Sequence, residues 1–140
     1  MRTILFAAVL ALGAGCSKSN TEKTEKSSEH ASKLPMVSVD EVDQALAKGD
    51  CTPVDANGDG TRKKLGTLPG AVLLTDSETF KVSELPQDKA KQLVFYCAST
   101  QCGASHEAAE KAITAGYTNV KVMPEGIAGW VKAGKKTQQL

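Results

Sequence analysis

Two cysteines and a histidine lie close together in Cys97-Ala-Ser-Thr-Gln-Cys102-Gly-Ala-Ser-His106. A cysteine reacts through its thiolate, so its surroundings decide whether it is a nucleophile, a redox partner or an inert core residue. Leu93-Val-Phe-Tyr96, just before, is a short apolar run of β-formers, as in a strand buried on both faces. Ser105 to Ala115 reads as a helix stopped by Gly116. Between them lie Ala98, Ser99, Thr100, Gln101, Cys102, Gly103 and Ala104, mostly small and polar. Strand, loop and helix in this order aim loop N–H groups and a helix N-terminus at one point, and Cys97 begins the loop. A thiolate there would be stabilised by the helix dipole and the unpaired amides, which lowers its pKa and raises its reactivity. The competing reading is a buried structural cysteine at a strand end.

Other candidate chemistries are weaker. Cys97, Cys102 and His106 offer three zinc ligands, with Cys51 a conceivable fourth, but zinc-binding cysteines are usually more closely spaced. Asp55-x-Asn57-x-Asp59-Gly60 has the opening spacing of a calcium loop, yet its twelfth position is Gly66 instead of Glu. Gly129-x4-Gly134-Lys135 imitates a phosphate loop, but Lys136 stands where Ser or Thr belongs. A tyrosine-phosphatase-like loop needs Arg where this chain has Gly103. No metal and no cofactor is assigned. His106, on the first helical turn, either polarises the loop or lies on the surface, since a protonated His there opposes the helix dipole. Asp55, at a strand's C-terminal end, either orients the loop or caps a turn. Cys51 reads as a buried, inert thiol.

The remaining elements follow from local pattern. Ser38-Val-Asp-Glu41 is a capping box, and Val39, Val42, Ala45 and Leu46 form a helical stripe ended by Gly49. Strands are expected at Thr52–Asp55, Ala71–Leu74 and Val120–Met123, a short helix near Val82, and another from Gly126 to Ala133. Strands alternating with helices predict an α/β fold, a parallel central sheet flanked by helices, with its site at the strands' C-terminal ends. Hydrophobic content of 41% over 140 residues leaves room for a single core. A net charge of +1 and 4% aromatics give no basic, aromatic-lined surface, so no nucleic-acid partner is expected.

The N-terminus reads as a targeting segment. Met1-Arg2-Thr3 precedes an apolar core from Ile4 to Leu12, then Gly13-Ala14-Gly15 and Cys16. This resembles a bacterial lipoprotein signal, which implies cleavage before Cys16 and lipidation of that residue; Gly13 departs from it, since such signals usually carry Leu there. Several acyl chains anchor a protein stably to a membrane. Ser17 resembles the pattern for delivery to the outer membrane, facing the periplasm. Residues 17–33 contain no large apolar side chain and read as a disordered polar tether, including His30. As a coil its ends would lie about 20–25 Å apart. Apolar segments beyond the leader are too short to span a bilayer.

Residues 34–138 resemble a rhodanese-like domain. The resemblance rests on the Ser38–Glu41 opening, Val54-Asp55, Gly66-Thr-Leu-Pro-Gly-Ala71, Leu85-Pro-Gln-Asp-Lys89 leading into Leu93–Cys97, and Gly126-Ile-Ala-Gly-Trp130. It implies a sulfurtransferase in which Cys97 holds a persulfide, taken from a donor such as thiosulfate and passed to cyanide or a thiol. A loop of inward N–H groups suits that anion. The family's loop usually carries Arg, and this loop has none; its Asp-x-Arg is here Asp55-Ala56-Asn57, and its turn His is Thr67.

Cys102 sits in the same loop, in a compartment expected to be oxidising. It resolves a persulfide on Cys97 with release of sulfide, or pairs with Cys97 in a resting disulfide, or has no role. Three function classes follow: an envelope-anchored sulfurtransferase with small sulfur donors and thiol acceptors, a thiol–disulfide module with a thiol-redox protein partner, and a non-catalytic binding or sensing domain. The first accounts best for Cys97 and its setting.

Overall fold

The computed structural model describes residues 34–140; the leader, Cys16 and the tether lie outside them. Helix α1 (Val39–Lys48) opens on Ser38, whose backbone N–H donates to the Glu41 carboxylate while the Ser38 hydroxyl accepts from the Glu41 N–H, so the capping box is formed. It ends on Gly49 in the left-handed region, φ 72°. Then come β1 (Cys51–Asp55), α2 (Asp59–Leu65), β2 (Val72–Leu73), a 3-10 turn (Val82–Glu84), β3 (Gln92–Tyr96), α3 (Ala104–Thr114), β4 (Val120–Val122) and α4 (Gly126–Lys132).

The four strands form a parallel sheet in the order β2-β1-β3-β4, with Asp55 opposite Tyr96 and Phe95 opposite Val122. Such pairing needs long crossover connections, and helices cover both faces, α3 on one and α1 with α4 on the other. Strand alternation divides the core: Val54, Leu93, Phe95, Val120 and Val122 pack with Ala108, Ala109 and Ala112 of α3. Cys51, Val94, Tyr96 and Met123 pack instead with Val39 and Val42 of α1 and Ile127 and Trp130 of α4. The expected parallel α/β sheet flanked by helices is therefore observed.

Several boundaries move by a residue or two. α3 begins at Ala104 and ends at Thr114, so Ala115 stands at its C-cap in place of Gly116, which follows with φ 97°. α2 was not anticipated: Asp-Gly-Thr-Arg-Lys-Lys-Leu has no apolar stripe, and its buried side chain is Arg62. Among the described residues no helix is long and apolar enough to cross a membrane.

Candidate active site

β3 runs through the core and delivers Cys97 to the C-terminal edge of the sheet, 1% exposed. The loop that follows is held at both ends. At its start, the Cys97 and Ala98 carbonyls accept from the N–H groups of Ile127 (2.8 Å) and Ala128 (3.0 Å) in α4. This approach requires glycine beside it. Gly126 has φ +62°, and a Cβ there would lie 2.5 Å from the Cys97 carbonyl oxygen and 2.7 Å from the Ala98 carbonyl carbon. At its end, the Gly103 carbonyl accepts from His106 (2.9 Å) and Glu107 (3.2 Å), starting α3.

Between these anchors the Cys102 N–H donates to the Ser99 carbonyl at 3.0 Å, a turn that folds Cys102 back over Cys97. The two are joined as a disulfide, with Cα atoms 6.3 Å apart, inside the usual disulfide range. Cys97 Sγ also lies 3.1 Å from the Cys102 carbonyl oxygen and 3.4 Å from the hydroxyl of Ser105, which is buried in the first turn of α3. Thr100, Gln101 and Gly103 are exposed; Ala98, Ser99, Cys102 and Ala104 are half-buried. The N–H groups of 98–101 and 103–105 find no acceptor among the described residues. A carbonyl oxygen at 3.1 Å suits neutral sulfur and repels a thiolate. An anion on Cys97 therefore calls for the Cys102 carbonyl to turn away and the free amides to take its place.

A polar network underlies this edge. Asp55 is fully buried; its carboxylate accepts from the Asn57 N–H at 2.7 Å and the Tyr96 hydroxyl at 2.7 Å. The Tyr96 hydroxyl in turn accepts from the Leu68 N–H at 3.0 Å. Burial, reinforced by the Asp55 carboxylate, pushes the Tyr96 phenol far above its ordinary range, so it stays a donor. The guanidinium of Arg62 lies 3.4 Å from Asp55 Oδ1 and donates to the carbonyls of Asp55 (3.1 Å) and Leu74 (2.8 Å). A buried cation thus ties together the C-terminal ends of β1 and β2.

The rhodanese-like domain family matches residues 38–133 of this chain. The chain belongs to that family. A thiosulfate:glutathione sulfurtransferase of Saccharomyces cerevisiae is 39% identical over 67 residues, which are 47% of each protein, so the rhodanese-like chain spans about half the length of the curated relative it matches. Among solved structures, a thiosulfate sulfurtransferase from Pseudomonas aeruginosa superposes with a TM-score of 0.65 at 23% identity, over 79% of this chain and 21% of that one. A human single-domain sulfurtransferase superposes with a TM-score of 0.56 at 23% identity, over 71% of this chain and 96% of that one. These structures share the fold.

Within the rhodanese-like frame, the residues singled out from sequence divide. Cys97, Cys102 and Ser105 converge on one point. Asp55 reaches that point only through Tyr96, the residue before Cys97, and its bond to the Asn57 N–H caps a turn. His106 is half-buried, and its ring makes no hydrogen bond among the described residues. Cys51 lies at the start of β1, opposite Gln92, so about 16 Å of strand separates it from the loop, and it is no fourth zinc ligand. Sequence reasoning passed over Arg62 and the packing role of Gly126. The signal for Arg62 was a single cation among surface lysines; for Gly126 it was a glycine at a helix start.

Proposed function

We propose that this rhodanese-like domain is a sulfurtransferase that carries sulfane sulfur as a persulfide on Cys97. The Cys97 thiolate attacks the outer sulfur of thiosulfate, a polysulfide or a persulfide. For thiosulfate, the donor's S–S bond breaks and sulfite leaves with the electron pair. An acceptor thiolate or cyanide then takes the outer sulfur, and Cys97 leaves as thiolate. The proposal includes a lipid anchor at Cys16 that holds the domain at the bacterial envelope, at the outer membrane facing the periplasm. The observation that supports this reading most is the position of Cys97 at the end of β3, at the start of a loop whose N–H groups mostly find no acceptor among the described residues, and beside the Ser105 hydroxyl at 3.4 Å. The likeness to a protein named for moving sulfur from thiosulfate to glutathione points the same way.

The Cys97–Cys102 disulfide favours a second reading, a thiol–disulfide module. Intact-mass measurement on the reduced protein separates the two. Gain of one sulfur atom from thiosulfate or polysulfide is expected in Cys102→Ser, lost when Cys97→Ser is added and kept when Cys51→Ala is added. A protein that only cycles between dithiol and disulfide and never gains sulfur, even as Cys102→Ser, sinks the sulfurtransferase.

A further inference from the structure

We infer that Cys102 is a second catalytic cysteine, which turns the Cys97 persulfide into free hydrosulfide by closing the disulfide. This rests on the persulfide reading above and adds an activity to it, the reduction of sulfane sulfur. The turn from Ser99 to Cys102 brings the Cys102 sulfur onto Cys97 Sγ itself. In a persulfide, Cys97 Sγ is the inner sulfur. Attack there forms the Cys102–Cys97 bond and breaks the bond between Cys97 Sγ and the outer sulfur. The outer sulfur leaves with the electron pair and takes one proton from water, which makes it hydrosulfide. It is reduced by two electrons, and the two thiols are oxidised to the disulfide. Attack on the outer sulfur would instead pass the persulfide to Cys102 and form no disulfide.

The cycle needs two electrons back, and the structure shows where they enter. Cys97 is 1% exposed, whereas Cys102 is half-buried between exposed Gln101 and Gly103. The co-reactant is a dithiol, protein or small molecule. Its thiolate attacks Cys102 Sγ, and Cys97 departs as thiolate with the Ser105 hydroxyl at 3.4 Å as hydrogen-bond donor. The dithiol's second thiol then releases Cys102 and leaves as a disulfide. Cys97 is thereby regenerated where it accepts the next sulfur.

The test uses reduced full-length protein as wild type, Cys102→Ser and Cys97→Ser, each folded by circular dichroism. Each is mixed with thiosulfate and, separately, with inorganic polysulfide. Hydrosulfide is trapped with a bimane reagent, counted in excess of the Cys97→Ser sample, and intact masses are read. Wild type is expected to release hydrosulfide and end two hydrogens lighter. Cys102→Ser is expected to keep one added sulfur and release none. Wild type that holds added sulfur as stably as Cys102→Ser overturns the role of Cys102 and leaves sulfur transfer standing. If neither protein takes up sulfur from either donor, both readings fall.

Discussion

The two ends of the parallel sheet each hold a buried cysteine, and they are opposites. Cys51, 7% exposed, starts β1; Cys97, 1% exposed, follows β3. Burial is nearly the same, so burial does not set their chemistry. Cys51 packs among Val39, Val42 and Val94, just past the C-terminal end of α1. Apolar surroundings push its thiol above the ordinary range, and the negative end of a helix dipole opposes a thiolate there. Cys97 lies at the edge where strands lead into helix N-termini, beside a hydroxyl and a second cysteine. Parallel βα topology makes this asymmetry: every crossover helix puts its N-terminus at the C-terminal edge of the sheet.

The sharpest way to break the comparison is to remove what holds the polar edge together. Arg62→Met leaves the fully buried Asp55 carboxylate without its cation. Loss of one member of a buried pair costs about 3–5 kcal/mol, so urea unfolding should show a large drop in stability. Asp55→Asn combined with Arg62→Met should recover part of it, because no charge is then stranded. A single mutant as stable as wild type would mean that the network does not support this edge.

The sequence disclosed the apolar half of this comparison far better than the polar half. α1 is written in a capping box and a stripe, and the strands in β-branched and aromatic residues whose alternation splits the two core faces. α2 was illegible because Arg62 holds it by reaching main-chain carbonyls, a contact that leaves no hydrophobic period. The loop was half legible. Small residues between Cys97 and Cys102 marked a backbone cradle, but whether the cysteines meet depends on the Ser99–Cys102 turn, which no side-chain pattern encodes. The strand–loop–helix pattern singled out Cys97; the family resemblance implied its persulfide and was silent on Cys102, where this chain departs from it.

A pair of glycines compares the two ends directly. Gly126 (φ +62°) and Gly49 (φ +72°) share a left-handed backbone, but a Cβ on Gly126 would meet Cys97 and Ala98, whereas one on Gly49 meets nothing within 4 Å. Gly49→Ala should cost only the backbone strain of about 1–2 kcal/mol. Gly126→Ala adds a clash with backbone that cannot swing aside, for a total of about 2–4 kcal/mol. It should also slow sulfur uptake, because the carbonyls of Cys97 and Ala98 lose their places on α4. Equal losses from the two substitutions would show that the loop start is free to move.

The smallest effect belongs to Cys51. Cys51→Ala should leave sulfur uptake unchanged and cost about 1 kcal/mol, a typical single-substitution loss. The comparison sharpens with pH. The native thiol of Cys51 titrates above its unfolded value because burial opposes the thiolate. A raised native pKa favours the folded state fully below the unfolded value of about 8.5. Above it, the unfolded thiol ionises while the native one does not, and that contribution is lost as pH rises through the native value. The stability gap between wild type and Cys51→Ala should therefore narrow from pH 7 to alkaline pH. Denaturation is measured with Cys97–Cys102 kept oxidised, so that among the described residues Cys51 is the thiol that titrates. A gap that does not change with pH would mean that burial at Cys51 does not oppose a thiolate relative to water. A gap that widens would make its surroundings like those proposed for Cys97. Either would end the contrast between the two ends.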